Sequence, residues 1–314
     1  MNNPQQLVRE IIRAAGGSVE RTGGFPSLLS APTDPFATGD PVEGDTIESV
    51  EVQTAGPVFD SVGFLDGIQN YSVVGRIGVT PVVFGHVSAA VLRRVEKQLK
   101  PAVHLSKEVL LVPDDRIPTA VIAELGEILP VVTFEPGERA HPLLETFLAG
   151  REVEAMREDL ELQAAREFRK EDEKSWLVID GGIRGYPADL RSPNTIGVIK
   201  SHETQFLAGR DLEKALMLEQ AHRTTVFSRF GGEAGDIYTW YLRLWDWDDE
   251  DILFGLIRLE RTAHARVVLE ADEVSAWMLS ERSPIAGRDR RWDRLLYPIG
   301  EVEQYLRAVA GERW

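Results

Sequence analysis

Gly63-Phe64-Leu65-Asp66-Gly67 and Trp176-Leu177-Val178-Ile179-Asp180-Gly181 are two apolar runs that each close on Asp-Gly. Between them lies a charged stretch with helical periodicity, Met156-Arg157-Glu158-Asp159-Leu160-Glu161-Leu162-Gln163-Ala164-Ala165. Asp-Gly is a common turn pair, so either step alone says little. Taken in order, two strands and the helix between them each present one carboxylate. Such a set can converge on divalent metal ions and hydrolyse a phosphodiester.

The helix is the firmest element. Over Arg151–Lys174, Val153, Met156, Leu160, Ala164 and Phe168 recur at steps of three or four and form one apolar stripe. At about 100° per residue, Glu161 falls between Ala165 and Phe168, inside that stripe. A carboxylate there must be paired, protonated or metal-bound, because an unpaired buried charge is too costly. Arg157, one turn earlier, is the alternative partner. Glu158, at the edge of the arc, is the alternative ligand. The apolar run Trp176–Ile179 suits a central strand buried on both faces.

Outward from this core, a short amphipathic helix opens the chain, with Leu7, Val8, Ile11 and Ile12 at helical spacing. It suits docking or dimerisation as well as packing on its own domain. A Gly-, Pro-, Asp- and Thr-rich arm follows from Gly16 to Asp45. Val58–Leu65, Tyr71–Val79, Val82–Val91 and Val103–Val112 read as strands, the first three punctuated by Gly67, Asn70, Gly78 and Pro81, and short links imply antiparallel neighbours. Helices are expected over Thr119–Leu129, Asp211–His222, Glu273–Ser280 and Glu301–Ala310, and a strand over Thr195–Ile199. Asp236–Trp245 and Ile252–Glu260 suggest a hairpin around the acidic turn Asp246–Asp251. The expected organisation is an N-terminal helix and arm over residues 1–57 and one mixed α/β domain over residues 58–314.

Composition narrows the function. The 314 residues contain no Cys, which excludes disulfides, thiolate zinc sites and Cys nucleophiles. The six histidines are scattered with no helical i,i+4 pair, which disfavours zinc. No apolar run approaches the roughly 18 residues of a membrane span, and no basic segment precedes an apolar one at the N-terminus, so a cytoplasmic location is expected. No Gly-x-x-x-x-Gly-Lys-Ser/Thr loop is present to cradle nucleotide phosphates. The net charge of −16 argues against a free-standing DNA-binding module, although not against a nuclease fed by a partner.

Further motifs fall in a recognisable succession. Asp66-Gly67 is followed by Arg157/Glu161-Leu162/Ala165, Asp180-Gly181, Gly197-Val198-Ile199-Lys200, Arg258-Leu259-Glu260 and Tyr297-Pro298. In this order the chain resembles the NurA family of DNA-end-processing nucleases. The resemblance implies an RNase H-like mixed sheet flanked by helices, Mn²⁺ or Mg²⁺ as cofactor, and a HerA-like hexameric ATPase as partner. It also implies DNA as substrate, a homodimer, and a role in DNA repair or anti-phage defence. Asp66, Glu161 and Asp180 become the metal ligands. With Lys200, placed at a strand end to meet a phosphate, they make the catalytic set.

The family usually places a His in the helix after Tyr-Pro. Here that helix reads Glu301-Val302-Glu303-Gln304-Tyr305, leaving Glu301 or Glu303 as a substitute oxygen ligand or the site weakened. The competing reading is therefore an inactive NurA-like subunit that binds and regulates a ring ATPase. For DNA contacts, the Arg-rich stretch Arg282, Arg288, Arg290, Arg291 and Arg294 offers phosphate partners, with a solvated loop as the plainer reading. Arg258 is a further candidate, although it shares a strand face with Glu260 and can simply pair with it. Tyr238, Trp240, Tyr241, Trp245 and Trp247 suit core packing better than base stacking.

Overall fold

The two Asp-Gly steps differ in kind: the first lies inside a long strand and the second ends a short one. The computed structural model describes residues 4–16, 39–53, 59, 61–136, 138, 141–202, 204, 206–229, 237–247, 252–284 and 292–311. Its elements begin with α1 (Pro4–Ala14), β1 (Gly39–Pro41) and β2 (Ser49–Glu51). Three 16-residue strands follow, β3 (Val62–Ile77), β4 (Thr80–Val95) and β5 (Gln98–Pro113). Next come α2 (Thr119–Gly126), β6 (Val131–Phe134), α3 (Pro142–Glu171), β7 (Trp176–Asp180), β8 (Thr195–Ile199) and α4 (Gly209–Leu216). The chain continues through β9 (His222–Thr224), β10 (Phe227–Arg229), β11 (Ile237–Arg243), β12 (Leu256–Thr262), α5 (Ala265–Glu281) and α6 (Tyr297–Ala310).

These strands form one mixed sheet, ordered β1-β10-β11-β12-β8-β7-β3-β4-β5-β6, with β9 on β11 and β2 on β9. At its centre β3, β4 and β5 make an antiparallel meander. β7 then returns parallel to β3, and β8 parallel to β7. A mixed sheet flanked by helices is the arrangement that the family resemblance implied. β1 and β2, from the stretch read as an irregular arm, add to the same sheet.

Period-two alternation assigns the faces of β3. Leu65, Tyr71 and Val73 join Val153, Leu160, Ala164 and Phe168 of α3 in one core. Phe64 and Ile68 point the other way, into a core shared with Val274, Trp277 and Met278 of α5 and Val302 and Leu306 of α6. A bulge between Val73 and Gly75 shifts the register. At the bulge, Val74 packs with α1 and α2 residues such as Ile12 and Leu125, so the opening helix packs on its own domain.

The structure corrects several element boundaries. Gly67 and Asn70 do not interrupt β3; they pair with Ala89 and His86 in the ladder, which fuses two expected strands. Val58, at the start of the first expected strand, lies outside the described residues. α3 begins nine residues before the expected Arg151, because Pro142 at its first turn and the His141 side chain, accepting from Leu144 N at 3.3 Å, start it there. Asp211–His222 shortens to α4 plus β9, and α5 extends N-terminally to Ala265. Asp236 and residues 248–251 of the expected hairpin are outside the described residues, while β11 and β12 pair antiparallel as expected. No helix among the described residues is long and apolar enough to cross a membrane.

Candidate active site

The parallel strands set the site. Leu65 of β3 pairs with Ile179 of β7. One residue further, Asp66 and Asp180 come side by side where β7 ends. Asp66 is 9% exposed, and one of its oxygens accepts from Gly67 N at 2.8 Å. Its carboxyl is pushed well above the ordinary range, first by burial and then by the charge of Asp180, with a smaller push from Glu161 and relief from Lys200.

Gly67 explains how a helix can bring a third carboxylate to this point. A Cβ at Gly67 would overlap the Glu161 carboxylate and stand 2.9 Å from its Cγ. Glycine here serves close approach, since the residue lies mid-strand and not in a turn. Glu161, 6% exposed, bonds the Arg157 guanidinium one turn earlier, and Arg157 Nε also donates to Gln69 Oε1 at 3.0 Å. Burial pushes the Glu161 carboxyl up to about 7 despite Arg157, and Asp180 adds to the shift. Glu158 points outward, with its side chain 62% exposed.

At Gly181 the backbone turns with φ +112°, a conformation that L side chains rarely adopt. Lys200, one residue past β8, bonds Asp180 Oδ2 at 2.7 Å. Asp180 and Lys200 line an open cleft of about 390 Å³ with Gly181, Gly182, Ile199, Ser201 and Arg294. Tyr186 lies beneath the cluster and felt no sequence signal. Its buried hydroxyl has no hydrogen-bond partner among the described residues, and burial and the charge of Glu161 raise its pKa.

The four residues expected to act together therefore meet where β7 and β8 end: Asp180 closes β7, Lys200 follows β8, Asp66 lies within β3 and Glu161 lies within α3. Glu161 and Asp180 are each engaged by a basic side chain, and among the described residues no group of three His, Cys, Asp or Glu stands ready-made to hold a metal. Glu303 is engaged by Arg307 at 2.6 Å, and Glu301 meets Tyr297.

Arg258 does not reach a phosphate-binding surface. It is 5% exposed, lies over the Phe206 ring, and bonds Glu260 Oε1 at 2.5 Å. The other Glu260 oxygen accepts from Ile183 N at 3.1 Å, so this pair braces the loop that follows Asp180. Arg288, Arg290 and Arg291 lie outside the described residues. Arg282 donates to Leu244 O and stacks on Trp245. Trp240 and Tyr241 are buried in the sheet and Trp247 bonds Leu218 O, as core aromatics do.

A chain built this way has a mixed sheet flanked by helices, with one carboxylate on each of the parallel neighbours β3 and β7. Its fold is that of the NurA nuclease from Sulfolobus solfataricus: the crystal structure of that protein aligns over 83% of each chain, with a TM-score of 0.50 and 14% identity. A second NurA crystal structure covers 84% of this chain and 88% of that chain at 10% identity, with a TM-score of 0.33, too low to carry weight. No protein-family profile and no curated protein matches the chain.

Proposed function

We propose that the protein is a divalent-metal-dependent deoxyribonuclease that resects DNA ends or cuts single strands. The observation that carries this reading is the meeting of Asp66, Glu161 and Asp180, from three elements, on a NurA-like fold. Three carboxylates against Arg157 and Lys200 leave an excess of negative charge, and Asp66 and Glu161 are both held away from ionisation. A hard divalent cation such as Mn²⁺ or Mg²⁺ fits that donor set. Asp66, Glu161 and Asp180 would hold it.

Bound there, the metal supplies a nucleophilic water at neutral pH and stabilises the charge of the displacement. The chain's own residues do the rest. Lys200, when released from Asp180, places an ammonium beside the phosphate. Arg157 holds Glu161 in its rotamer from one turn away. The Arg258–Glu260 pair fixes the loop behind Asp180. A HerA-like hexameric translocase would deliver DNA to this acidic chain, in repair or anti-phage defence within the cytoplasm, with the chain acting as a homodimer.

The test is cleavage of labelled DNA in Mn²⁺ with and without a HerA-type ATPase. Asp66→Ala and Asp180→Ala should abolish it and keep the circular dichroism of the parent, whereas full cleavage by both variants would sink the assignment. The ion pairs on Glu161 and Asp180, together with the missing C-terminal His, favour a second reading as a non-catalytic subunit of a ring ATPase. Complex formation without cleavage in either Mg²⁺ or Mn²⁺ would establish that alternative.

A further inference from the structure

We propose that Arg294, acting with Lys200, is a phosphate clamp that seats a single strand beside the carboxylate cluster. This rests on the nuclease reading and adds to it the form of the substrate and a positioning residue. The cleft is lined by one carboxylate, Asp180, and by two cations, Lys200 and Arg294. Lys200 is ion-paired with Asp180, whereas Arg294 is not. In a chain of net charge −16, cations beside a carboxylate site are the groups able to draw in an anion.

Arg294 differs from the buried arginines of the neighbouring strands. Arg223, Arg243, Arg258 and Arg261 are each 5% exposed or less, with their guanidinium groups spent on carboxylates and carbonyls. Arg294 keeps 26% of its side chain exposed and lines the cleft. It is nonetheless fixed in place. Nη1 donates to Lys200 O at 3.2 Å, and Nε lies 3.3 Å from Asp293 Oδ2 without a hydrogen bond. Asp293 is itself buried and accepts from Gly255 N at 2.8 Å, so it is shared and anchored. A guanidinium carries five N–H donors, and this one retains donors in a planar fork suited to phosphate oxygens.

The neighbouring backbone suits a sugar–phosphate chain. A side chain added at Gly181 would stand in open space, and Gly182 presents no side chain to the cleft. A cleft of about 390 Å³ has room for one nucleotide-sized group beside the cluster. With Lys200 tied to Asp180 and Arg294 tied to the Lys200 carbonyl, a phosphate gripped by Arg294 lies one short reach from the cluster. Arg294 therefore sets register by holding the backbone next to the bond to be cut, and reads no base.

The experiment is fluorescence anisotropy of a labelled single-stranded oligonucleotide with the full chain in EDTA, across a salt series. Arg294→Ala should weaken binding by about 10-fold and flatten the plot of log K against log salt by about 0.7, the share of one single-strand phosphate. Arg294→Lys keeps the charge, loses the fork, and should fall between in affinity. In Mn²⁺, Arg294→Ala should raise KM more than it lowers kcat. Unchanged affinity and salt slope in Arg294→Ala would overturn the clamp, even if Asp66→Ala abolishes cleavage and so upholds the nuclease. If Arg294→Ala melts early, Arg294→Lys decides: its slope should stay near parental because the charge is kept, and parental affinity as well overturns the clamp. Parental protein that neither binds the strand nor cleaves it in Mn²⁺ overturns both readings.

Discussion

Two regions of the molecule bury charge and treat it in opposite ways. Around Arg223, 2% exposed, every arm of the guanidinium is engaged: Nε bonds Asp272 at 2.6 Å, and Nη1 and Nη2 bond Glu43 at 2.7 and 2.9 Å. Although burial opposes its ionisation, Glu43 is held below its usual range by Arg223 and by the N–H of Val226. Where β7 ends beside β3, by contrast, Asp66 and Asp180 face each other as like charges, and Asp66 is driven upward. The first region satisfies its charges and ties the N-terminal stretch to the sheet. The second leaves repulsion standing, as sites shaped for function do.

The largest expected effect falls on the unsatisfied region. Asp66→Asn keeps the shape and removes the charge, so Mn²⁺-dependent cleavage should drop by at least about 10³-fold, the scale of losing a dedicated charge-stabilising group. Single-turnover assays at saturating metal would read it. A variant that regains full rate with added Mn²⁺ would mean that Asp66 tunes metal affinity only. The matched change in the satisfied region, Glu43→Ala, should lower stability and leave cleavage by the surviving folded protein near parental.

The Arg258–Glu260 pair tests the comparison from the stability side. Both groups are almost wholly buried and bonded. Removing one partner, as in Glu260→Ala, strands the other and should cost about 3–5 kcal/mol. Replacing both together with apolar residues of similar volume should restore most of that loss in urea titrations. A single substitution as mild as the double one would show that the pair is solvated and braces nothing.

Gly67→Ala is the next smaller step. The new Cβ would overlap the Glu161 carboxylate, so the helix must withdraw or Glu161 must turn away. Displacement of about 1 Å at such a site costs on the order of 10²-fold in rate, with about 1–3 kcal/mol of overpacking strain. A parental rate in Gly67→Ala, with stability unchanged, would show that Glu161 need not lie against β3.

Much of this was readable beforehand, and what escaped has definable causes. The inward arc of α3, the both-faces burial of β7 and the span of β8 followed from periodicity and apolar runs, which are local properties. Gly67 was read as punctuation because Asp-Gly in isolation is turn chemistry. Its real task depends on Glu161, 94 positions away, and no local rule carries that. In sequence Arg258 and Arg294 are both candidates for phosphate contact, one on a strand face with Glu260 and the other in an Arg-rich stretch. Only the sheet decides that one faces inward beneath Phe206 while the other borders the cleft. Tyr186 had no signal at all, since a lone Tyr after Asp-Gly-Gly is unremarkable until the chain folds under the cluster.

The smallest effect has the most revealing sign. Asp66 has its folded pKa raised above the unfolded value near 3.8, so the folded protein holds that proton more tightly. Its ionisation therefore erodes stability as pH climbs from the ordinary carboxylate range through the raised folded value. Glu43 behaves oppositely: its pKa is lowered, and its contribution is present above about 4.5 and lost as pH falls through the folded value. In metal-free protein at neutral pH, Asp66→Asn should thus raise stability by about 1 kcal/mol, as relief of a functional strain does. Glu43→Gln should lower stability under the same conditions. The first difference should shrink toward zero when the melts are repeated below about pH 4, where Asp66 is protonated folded or unfolded, whereas the second should fade only as pH drops through the lowered folded value of Glu43. Saturating Mn²⁺ should then reverse the first sign alone, because a cation bound by Asp66 stabilises only the parental fold. Melting temperatures with and without metal would read all four cases. An Asp66→Asn variant less stable than its parent without metal would show that the repulsion between Asp66 and Asp180 is already relieved within the chain.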